Sequence, residues 1–262
     1  VATLPDTIGI DADNRDSDFN SGRPLKRDWR GAFVAVRKLL QNADDTGQVF
    51  RIMRSLNADT SHKNYIRLLR TAEGGRIAFA HVELAERFSD RAWVDTLPAG
   101  SVGAAYRDFL DRTGFSAQGL AEISYAENAE FRGSDHPYAW FGRRERDVHD
   151  IWHVLTGYTA EEPLGEACLV AFSYAQTKGL GWAAIGVAAA LKSLKITGDT
   201  LFAKAVWEGY AHGKRAAWLH GEDYEALLAE PLEAARRRLR IAEPVAYHRA
   251  QVSLRAKGLS GI

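Results

Sequence analysis

A chain of 262 residues with 46% hydrophobic positions is long enough to bury a sizeable core, which excludes wholesale disorder. Thirty-four Lys and Arg residues balance thirty-four Asp and Glu, so no global field gathers nucleic acid or strongly acidic partners, and no nucleic acid is expected. The single cysteine, Cys168, excludes an internal disulfide, and the lack of an apolar leader in this sequence reads as intracellular; the first residue, Val1, leaves processing open.

Taken in chain order, residues 1–25 mix Asp, Asn, Gly and Ser with little apolar patterning and read as a partly disordered N-terminal arm. From Trp29 onward the apolar residues recur at helical spacing. Helices are predicted over 29–41, 44–56, 59–71, 74–88, 101–114, 116–131, 137–156, 163–178, 180–196, 199–219 and 231–240. Ser101 and Ser116 are N-cap residues by type, and Gly157 and Gly179 stand where helices should stop. Strand-like alternation is missing, nothing recurs at a fixed period, and no linker divides the middle. The expected fold is therefore all-α, with one helical domain over 26–243 and a C-terminal tail over 244–262.

Chemistry concentrates in the stretch His149, Asp150, Ile151, Trp152, His153, followed after a further turn by Glu166. At about 100° per residue, His149, His153 and Asp150 leave one helix within a narrow arc, and imidazole nitrogens with carboxylate oxygens suit a divalent cation. Zinc is the first expectation; iron and cobalt accept the same set, and magnesium stays open. Arg146 falls one turn before His149 on the same face, where a guanidinium beside a cation would grip an anionic substrate, so Arg146 and Asp150 are the expected catalytic groups. The bland readings are that the histidines line a polar groove and that Glu166 complements the N-terminus of its own helix. Asp150 replaces the Glu of a zincin protease, no pair of Glu-x-x-His units signals a di-iron bundle, and no phosphate-binding loop or nucleophile elbow is visible.

The longest uncharged run, residues 179–191, is too short to span a bilayer, which needs about 20 residues. It is either a buried core helix or a wall for a long apolar ligand or membrane surface, in which case Trp182, Ile185 and Val187 are the lipid-binding residues. The run Arg236 to Arg240 reads first as a solvated helix end and second as a contact for anionic lipid.

The stretch from Arg146 through Tyr158 to Ala167, with its His-Asp-x-x-His helix and following Glu, resembles the coenzyme Q biosynthesis protein 4 family. Segments Asp44 to Phe50, Pro98 to Gly103 and Glu230 to Ala234 are similar to it as well, so the resemblance runs from about residue 30 to 241. It implies an all-helical fold, His149, Asp150, His153 and Glu166 as metal ligands, and zinc as the metal. It further implies polyprenylated quinone precursors as ligands, other ubiquinone-biosynthesis proteins as partners, and peripheral attachment to a membrane. That membrane is the bacterial inner membrane at its cytoplasmic face or the mitochondrial inner membrane at its matrix face. The implied activity is C1 decarboxylation of a polyprenylated 4-hydroxybenzoate, oxidative with C1 hydroxylation in one version, which would make the chain a carboxy-lyase. The alternative is a non-catalytic lipid-binding scaffold that organises the ubiquinone-biosynthesis proteins. A metallohydrolase is a third reading. A metal site between two consecutive helices should then open on an apolar, lipid-binding channel, and an excess of apolar helices makes a homodimer one expectation.

Overall fold

The computed structural model describes residues 26–42, 45–127 and 132–259, and among them the secondary structure is helical throughout, with one isolated β-bridge between Ser101 and Pro231. The arm expected over 1–25 and the end of the helix predicted to reach 131 lie outside the described residues.

Local signals set most of the boundaries. Helix α1 (Trp29–Gln41) begins where the Asp28 carboxylate accepts the Gly31 amide at 2.8 Å. It leads to α2 (Thr46–Asn57), α3 (Thr60–Leu68) and α4 (Ala72–Ala80), the last capped by Thr71. The helix predicted over 74–88 is two elements, because His81 takes a left-handed conformation (φ 49°) and the chain restarts as α5 (Leu84–Ser89), followed by the single turn α6 (Arg91–Val94). Helix α7 (Val102–Thr113) is capped by Ser101, and α8 (Ala117–Glu127) starts with the Ser116 hydroxyl accepting the Gly119 amide.

Pro137 opens α9 (Pro137–Asp147), where its missing N–H costs nothing, and α10 (His149–Thr156) follows after Val148 and stops at Gly157 with φ 77°. The predicted single helix 137–156 is thus divided just before the first histidine. Pro163 opens α11 (Pro163–Thr177), which ends on Lys178 at φ 65° instead of on the expected Gly179; that glycine is the N-cap of α12 (Leu180–Thr197). Then come α13 (Leu201–Arg215), a 3-10 turn (Leu219–Gly221), α14 (Tyr224–Ala229), α15 (Leu232–Arg238) and α16 (Val245–Ala256). The last of these lies within the stretch expected as a tail over 244–262, of which 260–262 lie outside the described residues: Tyr247, Ala250 and Leu254 recur at helical spacing and are buried against α13 and α11.

The closest helix pair is α11 with α13. Gly209 and Gly213 make it possible, since a Cβ at those positions would stand 2.4 Å from the Cys168 carbonyl oxygen and 2.6 Å from that of Phe172. Around this pair the main core gathers Ile151, Trp152, Leu155, Leu169, Phe172 and Phe202, all essentially inaccessible. A smaller cluster, Ala32, Ala35, Ile52 and Leu56, fastens α1 and α2 to the edge of α12. Helix α12 itself is contacted by α1, α2, α11 and α13. With 18 residues and a mean hydropathy of 1.3, it is the one helix among the described residues long and apolar enough to cross a membrane. That corrects the length argument drawn from residues 179–191, because the helix continues through Lys192 and Lys195 to Thr197.

Candidate metal centre and its cavity

The turn between α10 and α11 folds the second helix back so that Glu166, in its first turn, faces the two histidines. His149, His153 and Glu166 offer ligand atoms that all lie within 4.8 Å of one another. The Glu166 carboxylate stands 3.2 Å from His153 Nε2 and 3.6 Å from His149 Nε2, and the two imidazoles meet edge to face at 4.9 Å. Each ring is held from behind. His153 Nδ1 lies 2.9 Å from the Tyr158 carbonyl, which takes its proton and leaves the Nε2 lone pair toward the site; His149 stacks on Trp182 at 5.9 Å, nearly parallel. An oriented, buried Nε2 that makes no hydrogen bond is what a ligand nitrogen looks like before its cation is added. The donor set therefore fits a divalent metal; nothing in it selects zinc over another.

Asp150 is not one of the trio. It is buried, lines the same cavity, and burial raises its carboxyl above the ordinary range despite the neighbouring histidines. Burial alone would also raise Glu166, but His153 and His149 outweigh it and hold that carboxyl well below the usual range. The same coupling keeps the His153 imidazole above its ordinary value against the opposing effect of burial.

The trio opens on a cavity of about 1360 Å³ lined by α1, α2, α8, α9, α11 and α12. Arg146 lines it too. Its Nε donates to Asp147 at 2.6 Å, and the Tyr125 ring lies 4.8 Å from the guanidinium carbon. Nη1 and Nη2 are buried without a well-aligned hydrogen bond. Arg143 and Arg144 have other uses: Arg143 forks onto Glu83, and Arg144 donates to the Glu222 carbonyl. Trp182 and Ile185, one turn apart on α12, line the cavity, as do Val170, Ala188 and Ala189. Val187 is not among the lining residues; two positions beyond Ile185 it points outward and is 59% exposed.

Two contacts that shape the site carry no motif of their own. The Tyr158 carbonyl is backbone, and Tyr247, from α16, donates its hydroxyl to Glu162 at 2.6 Å and so anchors the residue that precedes Pro163. A buried tyrosine among long-range partners has no local signature in sequence.

Fold and site together define an all-helical protein in which a His, His, Glu trio between consecutive helices opens into a large interior cavity. The chain belongs to the family described as coenzyme Q (ubiquinone) biosynthesis protein Coq4, whose family model matches residues 55–245. It is similar to the mitochondrial ubiquinone biosynthesis protein COQ4 homolog of Danio rerio, 28% identical over 198 residues that cover 72% of this chain and 68% of that protein. The mitochondrial COQ4 homolog of Bos taurus is 29% identical over 67% of this chain and 63% of its own length, and COQ4 of Yarrowia lipolytica 26% over 68% and 64%. The crystal structure of a Nostoc punctiforme protein assigned to ubiquinone biosynthesis superposes with a TM-score of 0.54 at 17% identity, covering 83% of this chain and all of that one, which shows a shared fold. Membership places the chain among ubiquinone-biosynthesis proteins.

Proposed function

We propose that the protein removes the C1 carboxyl group of a polyprenylated 4-hydroxybenzoate-type precursor, with a divalent cation held by His149, His153 and Glu166. The observation that carries this reading is Arg146: two guanidinium nitrogens buried in the wall of the same cavity without a well-formed hydrogen bond. A buried donor left unsatisfied costs about 1–3 kcal/mol, which an anionic oxygen pair would recover by a forked contact. An aromatic carboxylate supplies that pair. The apolar lining, from Val170 to Ile185 and Ala189, suits a hydrocarbon tail, and burial at about 25 cal/mol per Å² makes the tail the larger part of affinity.

In this reading Arg146 binds and orients the carboxylate, and the cavity walls exclude water from it. When bound, the cation supplies Lewis-acid stabilisation of negative charge. The bond from C1 to the carboxyl carbon breaks, the carboxyl leaves as carbon dioxide, and its electron pair stays on the ring carbon. Asp150, whose carboxyl burial raises above its ordinary range and which lines the same cavity, supplies the proton that replaces the carboxyl. The oxidative version would instead place a hydroxyl at C1, with one atom of dioxygen entering the ring and the other leaving as water on two protons and two electrons from an external reductant. The His/carboxylate set accepts zinc, and the oxidative version would call for a redox metal such as iron. Its relatives are named mitochondrial; in this reading the chain would act peripherally on the matrix face of the mitochondrial inner membrane, or on the cytoplasmic face of a bacterial one, beside other ubiquinone-biosynthesis proteins.

The test is release of labelled carbon dioxide from a short-tailed 3-prenyl-4-hydroxybenzoate, with and without air, by metal-replete wild type and by Arg146→Lys. A lysine keeps the charge and loses the fork, so kcat/KM should fall about tenfold or more. No release from wild type under either atmosphere rejects the decarboxylase.

A second reading, the lipid-binding scaffold, is favoured by one observation: Val187, Leu191 and Leu194 on the outer side of α12 are exposed, and so are Trp29 and Phe33 of α1. Such faces suit a membrane surface, partner proteins or a second copy of the chain. That reading expects metal removal to lower thermal stability and partner binding in a protein that never turns over.

A further inference from the structure

At some distance from the histidines the same cavity has a second polar end, built from α9, the 3-10 turn and the far part of α11. Glu145 is one turn before His149, near the end of α9, and its carboxylate accepts hydrogen bonds from the Ser61 hydroxyl and from Asn64 Nδ2 at 3.0 Å. Asn64 also donates to the Thr177 carbonyl, tying α3, α9 and α11 together behind it. His220, on the 3-10 turn, puts its Nε2 3.8 Å from Glu145 Oε1, too far for a hydrogen bond, with the Trp152 ring 4.8 Å away on one side. Its ring is 1% exposed, and neither nitrogen has a hydrogen-bond partner. Ser173, equally buried, has an unpartnered hydroxyl. Glu145, His220 and Ser173 all line the cavity.

Three unfilled hydrogen-bonding positions at one end of a cavity are expensive unless something occupies them. Their chemistry narrows the occupant. Burial, with Arg144 and Arg67 nearby, takes His220 down to about 3, so the imidazole is neutral and offers one donor and one acceptor. Burial pushes Glu145 up to about 7 against the pull of its two hydrogen bonds, so it too changes between donor and acceptor at little cost. Arg144, which donates to the Glu222 backbone carbonyl, is not among the cavity-lining residues, so among the described residues its guanidinium is not offered to an anion at this end. A hydroxyl, which both donates and accepts, satisfies the set.

Spacing relates this end to the first. On α11 the residues Glu166, Val170, Ser173 and Thr177 share one cavity-lining face, and seven residues at 1.5 Å each put Ser173 about 10 Å along the axis from Glu166. That is the reach of one aromatic ring with a polar group at either end, with Val170 alongside the ring.

We infer that Glu145, His220 and Ser173 form a hydroxyl-recognising subsite that binds the ring oxygen of an aromatic ligand at the end opposite its metal-facing group. The subsite rests on the aromatic-acid reading for the identity of the ligand and on its own unpartnered atoms for its existence. It makes these residues determinants of specificity, since a site built to bond a hydroxyl rejects the analogue that lacks the proton.

The experiment compares binding of 2-prenylphenol with that of its methyl ether, neither of which has a carboxylate, by calorimetry on the full metal-free chain. Wild type should prefer the phenol about tenfold, and Ser173→Ala and His220→Phe should each reduce that preference to about threefold or less. His149→Ala should leave the preference intact. Equal affinity of wild type for the two probes, or a preference that survives both subsite substitutions, overturns the inference. Should His220→Phe fail to fold, the small change Ser173→Ala decides alone. Separately, metal-dependent binding of 3-prenylbenzoate reads the carboxylate end: its absence would sink the aromatic-acid proposal while the phenol preference still reports on the subsite.

Discussion

His153 shows how much one side chain depends on atoms around it. Its Nδ1 meets a backbone carbonyl and its Nε2 faces Glu166 at 3.2 Å, so the ring is held from behind with its other nitrogen aimed at the site before any cation arrives. His153→Ala should therefore abolish metal retention, measured by elemental analysis of protein purified without added metal. Saturating wild type at about 100 times Kd should add about 2.7 kcal/mol and raise the melting temperature by roughly 5–10 °C, a shift absent from the variant. Glu145 permits a test by pH. Its folded-state value is raised to about 7 from an unfolded value of 4.5, so its contribution is intact below pH 4.5 and lost as pH rises through 7. Wild type should lose stability relative to Glu145→Gln between about pH 5 and 8, by a few kcal/mol at most, in paired urea titrations; parallel curves would show that the carboxyl is not held neutral. The shared face of His149 and His153 was legible from spacing, because i and i+4 on a helix lie together, whereas Glu166 reaches them only through the turn that folds the next helix back. Asp150 lies on the wider edge of that face, lining the cavity outside the trio. Glu145 and His220 were invisible because 75 residues of chain separate partners that only tertiary packing brings together.

Among the elements, the helices were read well where a proline, a serine cap or a glycine punctuates them, as at Pro137, Ser101 and Gly157. Reading failed where an ordinary residue did the work of a glycine. His81 and Lys178 both take positive φ, and the helix break at His81 has no compositional warning. Short elements such as α6 and α14 also escaped, being too brief to establish a period. The α11 and α13 pair offers the sharpest test at this scale. Gly209→Ala would drive a methyl group into the Cys168 carbonyl, and the helices must separate to relieve it, at a cost of about 1–3 kcal/mol or more. Chemical denaturation should show that loss; stability equal to wild type would mean the two helices are less closely seated than described.

For the whole molecule, the unforeseen helix α16 joins the end of the domain to its centre. Tyr247 and Gln251 both hold Glu162, the residue that sets the start of α11, and Thr159 is held by the Tyr247 hydroxyl as well. Ending the chain at residue 243 should thus lower stability and weaken metal binding together, seen as a lower melting temperature and a reduced metal content; unchanged metal content in a folded truncation would separate the two. The all-helical architecture was legible from pattern, whereas an apolar channel was expected from the family resemblance and not from pattern, because a hollow leaves the same apolar spacing as a filled core.

The bond from Tyr247 to Glu162 also sets an order of events during synthesis. Both histidines and Glu166 leave the ribosome well before Tyr247 does, so they meet water and free ions while the turn between them still lacks its anchor. A trio that is complete in composition but loose in geometry would exchange metals quickly and discriminate poorly among them. Selection of the cation would then wait until the last helix docks, making the finished polypeptide, and not the nascent one, the species that takes its metal.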